Sequence, residues 1–190
     1  MVLAADGNTY LGKTTHLLSL MQDSPKSFLL VEEYDTDLEL LEQLKTHREK
    51  QAYYFSLEEE RVRQFGGVTG RTLLLDRSYL SILAHSWAMS HIEQRPHFAR
   101  TLRMLRAQLD GGRVLIPDRY IFFLQEDEGR CYSDCLDKGS EEILYDLQYR
   151  RQINAFFRRL TPVLENGACP IERMLIRLDG LAAEMEYSDD

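Results

Sequence analysis

The chain has 190 residues, 44% hydrophobic and 28% charged, which suits one α/β domain or a compact bundle and excludes a globally disordered chain. Its 23 basic and 31 acidic residues leave a net charge of −8, which argues against duplex nucleic acid as the main partner yet allows a small anion in one local positive pocket. Three cysteines (Cys131, Cys135 and Cys169) are too few for a disulfide framework and read as free thiols. The sequence contains neither an apolar run long enough for a membrane span nor a basic-then-apolar leader, so the expectation is a soluble cytoplasmic protein.

Five short apolar runs read as strands: Val2–Ala5, Phe28–Val31, Thr72–Leu75, Tyr120–Leu124 (after Pro117 and Asp118) and Met174–Leu178. Four to six apolar residues without alternation suit strands buried on both faces of a parallel sheet. Helical patterns lie between them: Thr14–Met21, then Leu38, Leu41 and Leu44, then Leu80, Leu83, Ala84 and Trp87, then Ile153, Phe156, Phe157 and Leu160. Strands alternating with helices predict a single three-layer α/β domain over residues 1–190, with a central, mainly parallel five-stranded sheet flanked by helices. Ligands of such sheets sit beyond the carboxyl ends of the strands.

The end of the first strand carries the strongest signal. Gly7-Asn8-Thr9-Tyr10-Leu11-Gly12-Lys13-Thr14, followed by Thr15, matches the phosphate-loop pattern at every fixed position, with an apolar strand before it and a helix after it. Glycine lets the chain wrap closely around a polyphosphate, and the backbone N–H groups and the helix N-terminus attract its charge. Lys13 supplies a compact cation, and the Thr14 hydroxyl is suited to Mg²⁺. A nucleoside triphosphate site with ATP and Mg²⁺ is expected, in the fold of the P-loop nucleotide hydrolases and transferases. The sequence contains neither an Asn-Lys-x-Asp guanine reader nor an Asp-x-x-Gly switch, which disfavours a signalling GTPase. Leu73-Leu74-Leu75-Asp76 is followed by Arg77 rather than a second acid, and the short chain fits a small kinase better than a motor.

Asp76-Arg77-Ser78-Tyr79-Leu80-Ser81-Ile82-Leu83-Ala84-His85 resembles the segment after the third strand of thymidylate kinases, and equally the acid-Arg-Ser segment of deoxynucleoside kinases. Pro117-Asp118 resembles the entry to the fourth strand of thymidylate kinases. Leu30-Val31-Glu32-Glu33 is similar to the second strand of both families, and Ala52-Tyr53-Tyr54-Phe55 with Arg61 and Arg63 to their third helix. The likeness spans roughly residues 2 to 180. It departs at three places: Ser86 stands where thymidylate kinases carry Gln, Ser56 where deoxynucleoside kinases do, and Glu32-Glu33-Tyr34-Asp35 replaces an Arg-Glu-Pro-Gly-Gly segment.

The resemblance implies a kinase passing the γ-phosphoryl group of ATP to a nucleoside, a nucleoside monophosphate or a related small acceptor. A kinase for a non-nucleotide hydroxyl and a regulatory nucleotide-binding protein are the competing readings. Lys13, Asp76 and Arg77 are the expected catalytic set, with Thr14 and Asp76 at the metal. Glu33 (or Glu32), Phe55, Arg61 and Arg77 are candidates for the acceptor side, with Phe55 equally readable as a core aromatic. The acidic stretch Glu126–Glu142 falls where these kinases place a mobile lid, 126–151 in all. Arg130, Arg150 or Arg151 from it would neutralise the transferring phosphoryl group. His16, His85 and His97 have no partners at meaningful spacing and are assigned no chemistry. The acceptor's identity and the oligomeric state, a homodimer included, stay open.

Overall fold

The computed structural model describes residues 1–125 and 146–185. The elements run β1 (Val2–Gly7), α1 (Lys13–Asp23), β2 (Phe28–Val31), α2 (Leu38–Gln43), α3 (His47–Phe65), β3 (Thr72–Asp76), α4 (Tyr79–Glu93), α5 (His97–Asp110), β4 (Arg119–Phe123), α6 (Leu147–Leu160), a 3₁₀ turn (Thr161–Val163) and α7 (Ile171–Ala183). The strands form one parallel sheet in the order β2-β3-β1-β4.

Successive strand residues point to opposite faces. Ala4, Leu73 and Leu75 join a large apolar cluster with α3 to α7, whereas Ala5 and Leu74 join a small one capped by Leu17 of α1. Three layers follow: α1 on one face, the sheet, and the remaining large helices on the other. Trp87, Phe98, Phe156 and Phe157 fill the larger side, each at most 1% exposed, and Trp87 and Phe98 meet edge to face at 5.4 Å between ring centres. Each such burial stabilises by about 1.5–3 kcal/mol.

The sheet has four strands among the described residues, not five. Met174–Leu178 lies inside α7. Pro170 precedes the helix, and Met174, Leu178 and Leu181 are its buried residues, a 3.6-residue period that a five-residue run is too short to reveal. Ile176, in the middle of the run, is 72% exposed.

Side-chain caps fix where the helices start. Thr46 and Glu49 form a reciprocal capping box on α3, Ser78 accepts from Leu80 N at the start of α4, and Asp146 accepts from Tyr149 N at the start of α6. The carboxyl ends of β1, β2 and β3 therefore meet the N-termini of α1 and α4 along one edge, and the site lies there.

In a strand, positions 176 and 178 would share a face, and in the helix they do not. Leu178→Ala is expected to cost about 2–5 kcal/mol and Ile176→Ala less than about 0.5 kcal/mol. Urea unfolding with unchanged slope measures both, and equal losses would contradict the helical assignment.

Candidate active site

The phosphate loop is shaped by two glycines. Gly7 has φ +137°, and a Cβ there would lie 2.2 Å from the Phe123 carbonyl oxygen of β4, so no other residue fits without displacing backbone. Gly12, at φ +79°, caps α1 without any side-chain hydrogen bond, which leaves the first N–H groups of that helix for an anion. Lys13 is 5% exposed and its Nζ donates to the Asn8 carbonyl at 2.6 Å. Burial, helped by the Arg77 charge, lowers its pKa to about 8 against the pull of Glu33, Asp76 and Asp6. Thr9, Tyr10 and Leu11 are half-buried around the turn, and Thr15, the third residue of α1, is exposed.

Thr14 Oγ1 donates to Asp76 Oδ2. The other carboxylate oxygen, Asp76 Oδ1, is buried with no hydrogen-bond partner among the described residues. A hydroxyl and an orphaned carboxylate beside a phosphate loop are a donor set that suits Mg²⁺.

Arg77 has φ +69°, a left-handed conformation that costs a non-glycine residue of order 1–3 kcal/mol. It is held there from both sides: Arg77 N donates to Ala5 O at 3.0 Å, and Asp6 accepts from Ser78 N (2.9 Å), Ser78 Oγ (2.7 Å) and Ser81 Oγ (2.7 Å). The guanidinium reaches Gly7 O and Thr9 Oγ1, both at 3.2 Å, and pairs with the Glu33 carboxylate. Between Glu32 and Glu33, the structure turns Glu33 to Arg77, while Glu32 gives its carbonyl to Arg61.

Next to this pair opens a cavity of about 790 Å³ between α3 and α4, with α2 at its rim. Glu33, Arg77, Ser81 and Tyr149 line its inner end. The inward face of α3 is a polar stripe at alternating four- and three-residue spacing: His47, Gln51, Tyr54, Glu58 and Arg61. Gln51 is 1% exposed, lines the cavity, and its Oε1 has no hydrogen-bond partner among the described residues. Opposite it, His85 accepts from or donates to Tyr149 Oη through Nδ1 at 3.0 Å. The His47 and His85 rings lie parallel within 3° at 5.5 Å, and His97 packs on His47 at 4.2 Å. Burial, with neighbouring positive charge, lowers the His47 pKa to about 3 and that of His85 to about 4, so both rings are neutral at pH 7.

Not every candidate reaches this cavity. Phe55 is 1% exposed within the apolar core, and it is Tyr54 that faces the cavity. Arg61 turns inward to backbone carbonyls. Arg150 is buried, bonded to Gln125 Oε1 at 3.1 Å, and its carbonyl accepts from Asn8 Nδ2 at 3.1 Å, which docks α6 on the phosphate loop. Arg151 is exposed on the same turn. Arg130, and the stretch 126–145 to which the lid expectation belongs, lie outside the described residues, as do Cys131 and Cys135. Gln51, Tyr149 and the histidine cluster escape a reading of the sequence. The polar stripe on α3 is the one signal that points to Gln51, whereas the histidines meet only across elements. No helix among the described residues is long and apolar enough to cross a membrane.

No protein-family model matches the sequence, and no curated protein sequence matches it. Solved structures do resemble the fold. Thymidylate kinase from Candida albicans superposes with a TM-score of 0.59 at 14% identity, covering 96% of this chain and 91% of that one. Deoxyadenosine kinase from M. mycoides with bound dATP gives 0.64 at 14% identity, covering 95% and 98%. The same enzyme with dCMP and a flexible dCDP bound gives 0.64 at 15%, covering 96% and 100%. The chain thus has the P-loop fold of the thymidylate and deoxynucleoside kinases over nearly its whole length.

The depressed Lys13 pKa has a consequence for stability. The folded chain disfavours the ammonium, so at any pH below about 8 its charge costs of order 3 kcal/mol. Between about 8 and 10.5 folding releases that proton and stability rises with pH. Lys13→Met is expected to stabilise the ligand-free protein at pH 7 by about 1–3 kcal/mol, with the gain fading towards pH 10.5, and to abolish stabilisation by Mg·ATP. Thermal unfolding with and without nucleotide across that range tests both. A variant less stable at pH 7 that still responds to ATP contradicts the assignment.

Proposed function

We propose that the protein is a kinase that transfers the γ-phosphoryl group of ATP to a hydroxyl of a nucleoside. The observation that carries the acceptor class is Gln51: a buried amide with an unpartnered oxygen, facing a cavity whose inner end meets Glu33, Arg77 and the phosphate loop. An amide offers a donor and an acceptor in one plane, the complement of a nucleobase edge, and leaving it unpaired costs about 1–3 kcal/mol. The neutral His47 and His85 rings and Tyr54 give the cavity aromatic walls suited to a flat base. The fold shared with nucleoside and nucleotide kinases supports the same reading. The Arg61 guanidinium, expected on the acceptor side, is turned to backbone carbonyls and does not line the cavity, which favours a nucleoside over a nucleoside monophosphate held by that residue.

Lys13 and the first N–H groups of α1 bind the donor phosphates. Thr14 and Asp76 would hold Mg²⁺, which when bound offsets charge on the phosphate oxygens. Glu33 accepts the proton of the attacking hydroxyl as its oxygen bonds to the γ-phosphorus and the bond to ADP breaks. Arg77, held against Glu33, meets the negative charge spread over the equatorial oxygens.

The test is transfer from labelled ATP to nucleosides, nucleoside monophosphates and small alcohols. At least one nucleoside is expected to accept label and to accelerate ADP release. Label on monophosphates or alcohols alone would overturn the acceptor class, and ADP release indifferent to every acceptor would overturn the enzyme. Gln51→Leu is expected to raise KM for the accepted nucleoside by about 10- to 100-fold with kcat within about threefold. Its melting temperature should hold or rise, because an orphaned buried oxygen is removed.

A further inference from the structure

The β2–β3 ladder ends with the pair Val31 and Leu75. The next carbonyls along, those of Glu32, Asp76 and Arg77, turn instead to one side chain. Arg61 of α3, 6% exposed, donates from Nη1 to Arg77 O at 3.0 Å and from Nη2 to Asp76 O at 3.2 Å and to Glu32 O. Its charge is met by Glu58 Oε1 at 3.2 Å, and its carbon centre lies 4.0 Å over the Tyr34 ring, whose hydroxyl donates to the same Glu58 oxygen at 2.6 Å. A planar guanidinium with five N–H groups can bridge diverging carbonyls, and an ammonium on a flexible stem cannot hold the same geometry.

Those carbonyls belong to the backbone that bears the chemistry. Glu32 precedes Glu33, and Asp76 and Arg77 are themselves reactive groups. The Glu33 side chain is 52% exposed, and an ion pair that open to water contributes too little to hold two chain segments in register. The carbonyl of the left-handed Arg77 is likewise held by Arg61. We propose that Arg61 is a positioning residue for phosphoryl transfer: it extends the β2–β3 pairing past its last ladder rung and so sets Glu33 against Arg77 at the reacting hydroxyl. This rests on the kinase reading above, and it assigns Arg61 a part other than holding an acceptor phosphate.

Arg61→Lys separates the alternatives. A misplacement of about 1 Å at reacting groups costs of order 100-fold, so kcat is expected to fall by about that factor. Calorimetric Kd values for ATP and nucleoside should stay within about threefold, because neither ligand touches the guanidinium. Amide exchange should quicken at residues 32–34 and 76–78 and nowhere else. Full kcat overturns the proposal. So does a raised KM confined to monophosphate acceptors, which marks a phosphate ligand, and so does exchange quickened across the whole chain, which marks a fold-stabilising role alone. Should Arg61→Lys not fold, Glu58→Gln removes the counter-charge yet leaves the carbonyl contacts. It should lower kcat by about tenfold with binding unchanged, and full kcat there also overturns the proposal. A wild-type protein that phosphorylates no nucleoside fails the kinase reading before any variant is made, and the exchange comparison still decides the bracket.

Discussion

A parallel sheet stops supplying hydrogen-bond partners at the carboxyl ends of its strands, and here Glu33, Asp76 and Arg77 are carried on backbone at or just past that limit. Beyond Gly7, Val31 and Asp76 the chain must find other partners for its polar groups, because buried N–H and C=O groups left unpaired are costly. The Ala5 carbonyl of β1 still takes the Arg77 amide, and beyond it Asp6 takes the Ser78 amide and Arg61 takes the carbonyls of Glu32, Asp76 and Arg77. The site is thus built from backbone that side chains hold in place, and the charges that hold it are buried with their counter-charges, Arg61 with Glu58 above all.

The same edge of the molecule concentrates what is unfavourable. Lys13 is buried as a disfavoured cation, Arg77 is left-handed, and Gln51, Glu58 and Asp76 each keep a buried oxygen unpartnered among the described residues. Burial raises the Glu58 pKa against the pull of Arg61 and Tyr34. The apolar cluster packed on α3 to α7 offsets these costs, with Trp87, Phe98, Phe156 and Phe157 fully enclosed. Groups that are poorly satisfied without ligand are groups a ligand can satisfy, which is why binding and local instability coincide here.

The cavity side shows how a nearly polar helix face can be tolerated. The stripe on α3 passes from the histidine cluster through Gln51 to Glu58 and Arg61, and its last members pair with each other and with Tyr34. The paired end faces the strand termini and stiffens them. The other end lines the cavity, where Gln51 Oε1 has no hydrogen-bond partner among the described residues. One helix therefore both braces the backbone at the strand ends and walls the cavity beside it.

By itself the sequence determined what depends on neighbours in the chain. The phosphate loop is a local backbone shape, so the glycines, Lys13 and Thr14 announce it wherever it stands. The four true strands are legible because burial on both faces leaves continuous apolar runs, and Asp76-Arg77 is legible because it follows one of them directly. Met174–Leu178 misleads for the same reason: five apolar residues have no period, and only the packing of Met174 and Leu178 against the core, with Ile176 in solvent, makes them helical. Tertiary structure alone decided which of Glu32 and Glu33 meets Arg77, that Phe55 is core, that Arg61 turns inward, and that His47, His85 and His97 meet. Each is a contact between residues far apart in sequence, and side-chain chemistry names the partners a residue can take while only the packed backbone brings one of them within reach.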